Sequence, residues 1–109
     1  MKDKHEIVSN WLPRYTGMKL NQFGKYILLT NFGEYINLFA KWNNVEIIGK
    51  DRPMPCATAE DITIINFSIG SANAATIMDL LSGIDPTAVL FLGKCGGLKK
   101  KNKVGDLIL

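Results

Sequence analysis

Along most of the chain, apolar residues switch between short continuous runs and helical spacing. Tyr26-Ile27-Leu28-Leu29 is a continuous run, as expected of a strand covered on both faces. From Phe32 onward the apolar positions are Phe32, Tyr35, Ile36, Phe39 and Ala40, which is helical spacing, with Asn31 placed as an N-cap. Residues 26–42 therefore read as strand, tight loop and helix. Val45-Glu46-Ile47-Ile48 reads as a second short strand, followed by a turn region rich in Gly and Pro over 49–55. A strand near 55–58, a turn at Ala59-Glu60-Asp61 and a strand over 62–67 form a pair. Gly70-Ser71 opens a helix over 73–83 with Ala74, Ile77, Met78, Leu80 and Leu81 on its apolar side, closed by Gly83. Thr87-Ala88-Val89-Leu90-Phe91-Leu92 is the most hydrophobic strand, and a final strand is expected near 104–109. Ahead of all this, residues 3–12 read as an amphipathic helix with Ile7, Trp11 and Leu12 as its apolar side, stopped by Pro13. Residues 13–24 read as a connector.

Strands alternating with helices predict an α/β fold: a three-layer α/β/α arrangement in which the 55–67 pair makes the central sheet mixed. The 109 residues fit a single domain, with 1–24 as amino-terminal helix and connector. The last run, Val104 to Leu109, reads as a strand cut at its apolar end, whereas chain ends are more often polar and frayed. The expectation is a truncated piece of a longer protein; the alternative is a strand that ends at a sheet edge.

Composition changes this picture little. The chain is 47% hydrophobic and 21% charged, ordinary values for a globular protein. The formal net charge of +3 owes much to Lys99, Lys100, Lys101 and Lys103. That run has no aromatic neighbour, so a solvated loop is expected rather than a nucleic-acid surface. No run is long enough to span a bilayer, and Met1-Lys2-Asp3-Lys4-His5 has no apolar stretch behind it. A cytoplasmic protein with reduced thiols is therefore expected, and Cys56 and Cys95 match no metal spacing. No metal and no cofactor are expected.

Ligands of open α/β sheets bind beyond the carboxyl ends of the strands. Three such ends stand out: Thr30-Asn31, Ser68-Ile69-Gly70-Ser71 and Gly93-Lys94-Cys95-Gly96-Gly97. The glycines of the third let a ligand approach the backbone, and Lys94 adds positive charge; a simple tight turn with Lys94 in solvent is the other reading. A Walker loop does not fit, because Cys95-Gly96 rather than Ser or Thr follows Lys94. Gly70-Ser71-Ala72-Asn73 serves equally as an anion site or a plain helix start. His5 is the only histidine and is read as a surface or packing residue, which leaves Cys95 without an evident activating base. Cys56 is read as structural. These residues predict a ligand crevice without naming the ligand.

The segments Asn66-Phe67-Ser68-Ile69-Gly70-Ser71-Ala72-Asn73-Ala74-Ala75-Thr76-Ile77, Val89 to Leu98 and Val104 to Ile108 resemble, in order and spacing, successive elements of the nucleoside phosphorylase and nucleosidase superfamily. The whole chain, including Asn10 to Gly17 and Gly93 to Lys101, is similar to the AMP nucleosidase branch. The resemblance implies a phosphorylase/hydrolase-like fold, a small-molecule nucleotide or nucleoside as partner, a homo-oligomer, and cleavage of an N-glycosidic bond, with AMP going to adenine and ribose 5-phosphate. It implies that the backbone around Cys95 and Gly96 lines ribose and base, with Gly97 a further substrate-binding residue, and that Ile69 and Gly70 lie near the ribose, with Asn31 at the first strand end. The arginines with which related phosphorylases grip phosphate are absent: Thr30-Asn31-Phe32-Gly33 carries none, and Phe91 stands where another is expected. Water is therefore expected as the nucleophile, with Lys94 facing a 5′-phosphate. Glu34 is the nearest candidate for the glutamate that hydrolytic relatives use to position water, a surface role being the other reading. The acid that protonates the purine is expected beyond Leu109, so this chain alone is not expected to be active. A phosphorylase, another nucleosidase and a non-catalytic nucleotide-binding module remain the alternatives.

Overall fold

The computed structural model describes residues 3–109; Met1 and Lys2, part of the polar start noted above, lie outside the described residues. The elements are α1 (Lys4–Thr16), a 3-10 turn (Leu20–Gln22), β1 (Tyr26–Thr30), α2 (Gly33–Asn43), β2 (Cys56–Ala59), β3 (Ile62–Asn66), α3 (Ser71–Leu81) and β4 (Ala88–Leu92). The strands form one sheet in the order β2-β3-β1-β4. β1 runs parallel to both β3 and β4, and β2 pairs antiparallel with β3, so the sheet is mixed as expected.

Side chains alternate across the sheet and sort into two layers of packing. On one face Ile27, Leu29, Ile65 and Phe67 meet Val8 and Leu12 of α1 and Ile77, Leu80 and Leu81 of α3. On the other, Ala57 and Ile64 meet Ile36 and Ala40 of α2. Helices thus cover both faces, giving the three-layer arrangement. The buried Thr63 hydroxyl is satisfied within the sheet, 2.7 Å from Thr58 Oγ1 and accepting from the Gly24 amide at 2.8 Å.

Several expectations need correction. Pro13 does not stop α1, which continues through it to Thr16 and closes at Gly17 in the left-handed conformation. A helix tolerates a missing N–H when packing supports both sides of it, and here Leu12 and Thr16 are fully buried. The apolar side of α1 is Val8 and Leu12, while Ile7 and Trp11 are exposed. Its amino end is capped by the Asp3 carboxylate, which accepts from the Glu6 amide at 2.8 Å.

The second short strand over 45–48 is absent as a strand: only an isolated bridge joins Ile48 to Cys56. Gly49 ends it, at φ 75° with the Arg52 amide donating to its carbonyl at 2.8 Å. Phe32, not Asn31, holds the N-cap position of α2, and no side chain caps that end. α3 begins at Ser71 and ends at Leu81 with Ser82 as its C-cap, two residues ahead of the expected span, and Met78 is exposed. The expected strand near 104–109 does not form. Residues Lys103–Asp106 instead make a turn, with the Asp106 amide donating to the Lys103 carbonyl at 3.1 Å and Gly105 at φ 98°. A strand needs a ladder partner, and residues 107–109 have none among the described residues.

Candidate ligand site at the strand tips

The parallel register brings the strand ends level. Thr30 of β1 lies beside Asn66 of β3 and Leu92 of β4. The turns that follow these three strands therefore leave from one edge of the sheet. The β1 and β3 tips are stitched together, because the Phe67 amide donates to the Thr30 carbonyl at 3.0 Å. Thr30 Oγ1 also accepts from the Phe32 amide at 3.2 Å and fixes the entry to α2. The β3 and β4 tips meet through the rings of Phe67 and Phe91, whose centroids are 5.9 Å apart.

Beyond β3, Ser68 takes a left-handed conformation at φ 69°, with its amide donating to Asn66 Oδ1 at 3.1 Å. Gly70, at φ 109°, then starts α3, and a Cβ there would meet nothing within 4 Å. Glycine is favoured by this backbone conformation, and the surrounding space is open. Asn73 turns back so that its Nδ2 donates to the Ile69 carbonyl at 3.1 Å.

Beyond β4, Lys94 does not face solvent alone. Its Nζ forms an ion pair with Glu34 in the first turn of α2. The same Nζ lies 4.7 Å from the Phe32 ring centroid and 5.6 Å from that of Tyr35. An ammonium over two aromatic faces is held by their quadrupoles as well as by the carboxylate. The hydrogen bond to Glu34 is the main reason the Lys94 pKa stands above the ordinary lysine value; slight desolvation opposes it. Both side chains of the pair remain about half exposed, at 54% for Lys94 and 55% for Glu34.

A cleft of about 720 Å3 opens next to this pair. Its walls are Tyr35, the end of β4, the 93–97 turn and residues 102–108. Lys94, Cys95, Gly96 and Gly97 thus share one cavity wall, and no atom lies within 4 Å of a Cβ placed on Gly96. Asn31, Ile69 and Gly70 sit at the same sheet edge but outside that wall. Asn31 Oδ1 is buried without a hydrogen-bond partner among the described residues, an acceptor with no donor. Glu34 is turned to Lys94.

Sequence reasoning missed Tyr35 and Phe32 as neighbours of the site, reading both as the apolar stripe of a helix. The available signal was position: a helix that starts directly at a strand tip puts its first turn at the ligand edge. The two cysteines differ in burial. Cys95 is exposed on the cleft wall, whereas Cys56 is buried in the sheet, where desolvation pushes its thiol from 9.0 up to about 12 against a weaker lowering by the Thr16 hydroxyl. Among the described residues, no cluster of His, Cys, Asp and Glu is arranged to hold a metal ion. No helix among them is long and apolar enough to cross a membrane.

The family model described as the phosphorylase superfamily matches residues 25–109. The chain belongs to the phosphorylase superfamily. The match runs from the start of β1 through all three strand tips. Within the phosphorylase superfamily, the chain is 29% identical over 135 aligned residues to the AMP nucleosidase of Escherichia coli (strain K12), covering 90% of this chain and 28% of that protein. The AMP nucleosidase of Escherichia coli O157:H7 gives the same values. Among solved structures, the AMP nucleosidase from Bacteroides thetaiotaomicron VPI-5482 is 62% identical, with a TM-score of 0.85, over 89% of this chain and 42% of that one. The chain therefore spans 28% of the length of the curated relatives and 42% of the solved one.

Proposed function

We propose that this chain is the amino-terminal portion of an AMP nucleosidase, which hydrolyses AMP to adenine and ribose 5-phosphate. The observation that carries the reading is the 62% identity to a solved AMP nucleosidase over 89% of this chain, at a TM-score of 0.85. In the reaction the bond between the ribose anomeric carbon and the purine nitrogen breaks. Water adds at that carbon, loses a proton, and the departing base gains one. General acid help to the base is worth about 100- to 10,000-fold. In this reading the described residues account for holding the substrate.

In this reading the 93–97 turn presents backbone amides of Cys95, Gly96 and Gly97 to ribose and base, and Ile69 and Gly70 approach the ribose from the β3 tip. Asn31 supplies its unpaired acceptor oxygen to a substrate donor. Lys94 is the cation for the 5′-phosphate, and Glu34 is the candidate to orient water. The lack of arginine in Thr30-Asn31-Phe32-Gly33 and at Phe91 favours water over inorganic phosphate as nucleophile. The working protein is cytoplasmic and homo-oligomeric, acts in purine salvage and uses no cofactor.

The test is product analysis of the intact protein. Adenine and ribose 5-phosphate should appear from AMP in phosphate-free buffer. Ribose 1-phosphate formed from a nucleoside only when phosphate is added would mean a phosphorylase, and nucleotide binding without cleavage would mean a binding module.

A further inference from the structure

We propose that Glu34 is a placeholder for the substrate phosphate on Lys94, so that nucleotide binding exchanges one anion for another and only a phosphorylated ligand can complete the exchange. The proposal rests on the nucleotide reading above and adds to it a residue that competes with the substrate phosphate for Lys94.

Four observations lead to it. Lys94 Nζ is already engaged by a carboxylate from a different element, across 60 positions of sequence. The Phe32 and Tyr35 rings hold the ammonium at 4.7 and 5.6 Å, so it keeps its place when its anion changes. Both members of the pair are about half exposed, so an incoming anion can reach Nζ. Lys94 and Tyr35 also line the cleft, so the exchange occurs at the cavity itself.

The energetics favour exchange. An ion pair this exposed contributes little, because water screens it and two side chains must be ordered to make it. A phosphate monoester carries nearly two negative charges and three acceptor oxygens, and binds an ammonium more strongly than a carboxylate does. An uncharged nucleoside has no group that can replace Glu34, so it leaves the ion pair intact and binds independently of it. Once phosphate takes Lys94, the Glu34 carboxylate is released at the β1 edge and becomes available to a water molecule. The same pair thus ties phosphate recognition to the freeing of the candidate water-orienting group.

The experiment titrates the intact protein with ribose 5-phosphate, and with ribose as the uncharged control, by calorimetry. Glu34→Gln should tighten ribose 5-phosphate about threefold, the size of a lost exposed ion pair, and leave ribose unchanged. Lys94→Ala should weaken ribose 5-phosphate about tenfold or more. In the double variant the gain from Glu34→Gln should vanish, because the gain acts through Lys94. Glu34→Ala provides a second removal of the carboxylate and should repeat the tightening. Unchanged or weaker ribose 5-phosphate binding in both Glu34 variants would overturn the proposal. So would a gain that survives in the Lys94→Ala background. The nucleosidase reading fails separately, if the unmodified protein releases no adenine from AMP; the exchange would then stand as a property of a sugar-phosphate site.

Discussion

Cys56 and Cys95 show how far the surroundings of one atom govern its chemistry. Cys56 is fully buried, and its Sγ donates to the Met54 carbonyl at 3.4 Å. Burial raises its folded value from 9.0 to about 12. Well below pH 9 the thiol is neutral in both folded and unfolded chains and stability does not depend on it. Above that, the unfolded chain loses the proton while the folded one keeps it, so stability falls with rising pH until the folded thiol also ionises. The expected slope from this group is about 1.4 kcal/mol per pH unit between these two values. Denaturant titrations at pH 8, 9.5 and 10.5 should show the loss, and Cys56→Ala should make it shallower by that amount; equal slopes in the two proteins would refute the assignment. In the native state, a thiol reagent at pH 8 should label Cys95 quickly and Cys56 only on unfolding.

At the scale of elements, Gly49 decides where the segment after α2 stops being strand-like. Its φ is 75°, and a Cβ built on it would lie 2.0 Å from the Thr16 carbonyl oxygen. The carboxyl end of α1 and the 49–52 turn are therefore in backbone contact. Gly49→Ala should cost about 1–3 kcal/mol, since it adds an unfavourable backbone conformation to a collision with main chain that cannot rotate away. Urea denaturation reads this directly, and a variant as stable as the parent would show that the α1 end yields freely. Pro13 looks like a stop signal by its local chemistry, yet burial of Leu12 and Thr16 on both sides of it holds the helix together.

For the molecule as a whole, the uneven cover of the sheet matters most. β4 lies at one edge, paired only with β1. Leu90 is 52% exposed and Phe91 56%, and Leu107 and Ile108 are also exposed. An open strand edge beside uncovered apolar side chains is a template for further pairing. The 109-residue chain by itself should therefore self-associate at micromolar concentration, with sedimentation velocity showing species larger than a monomer. Leu90→Lys should suppress this without unfolding the domain, because the new charge sits on an exposed position of the edge strand. A chain that remains monomeric across the concentration range would show that the edge is protected.

Local pattern alone was enough for the strands that begin at Tyr26, Ile62 and Ala88, for the helices that follow the first two, and for the glycine-rich tips, because continuous apolar runs, helical spacing and glycine each reflect constraints felt within a few residues. The family was legible for the same reason: its marks are those tips in their order along the chain. Whether Pro13 ends a helix, which side of α1 is buried, and whether 45–48 and 104–109 become strands depended on partners distant in sequence, and these were the points where the reading failed. The Lys94–Glu34 pair could not be read from the chain at all. It exists because parallel pairing sets Thr30 beside Leu92, which carries the start of α2 and the turn after β4 to the same edge of the sheet.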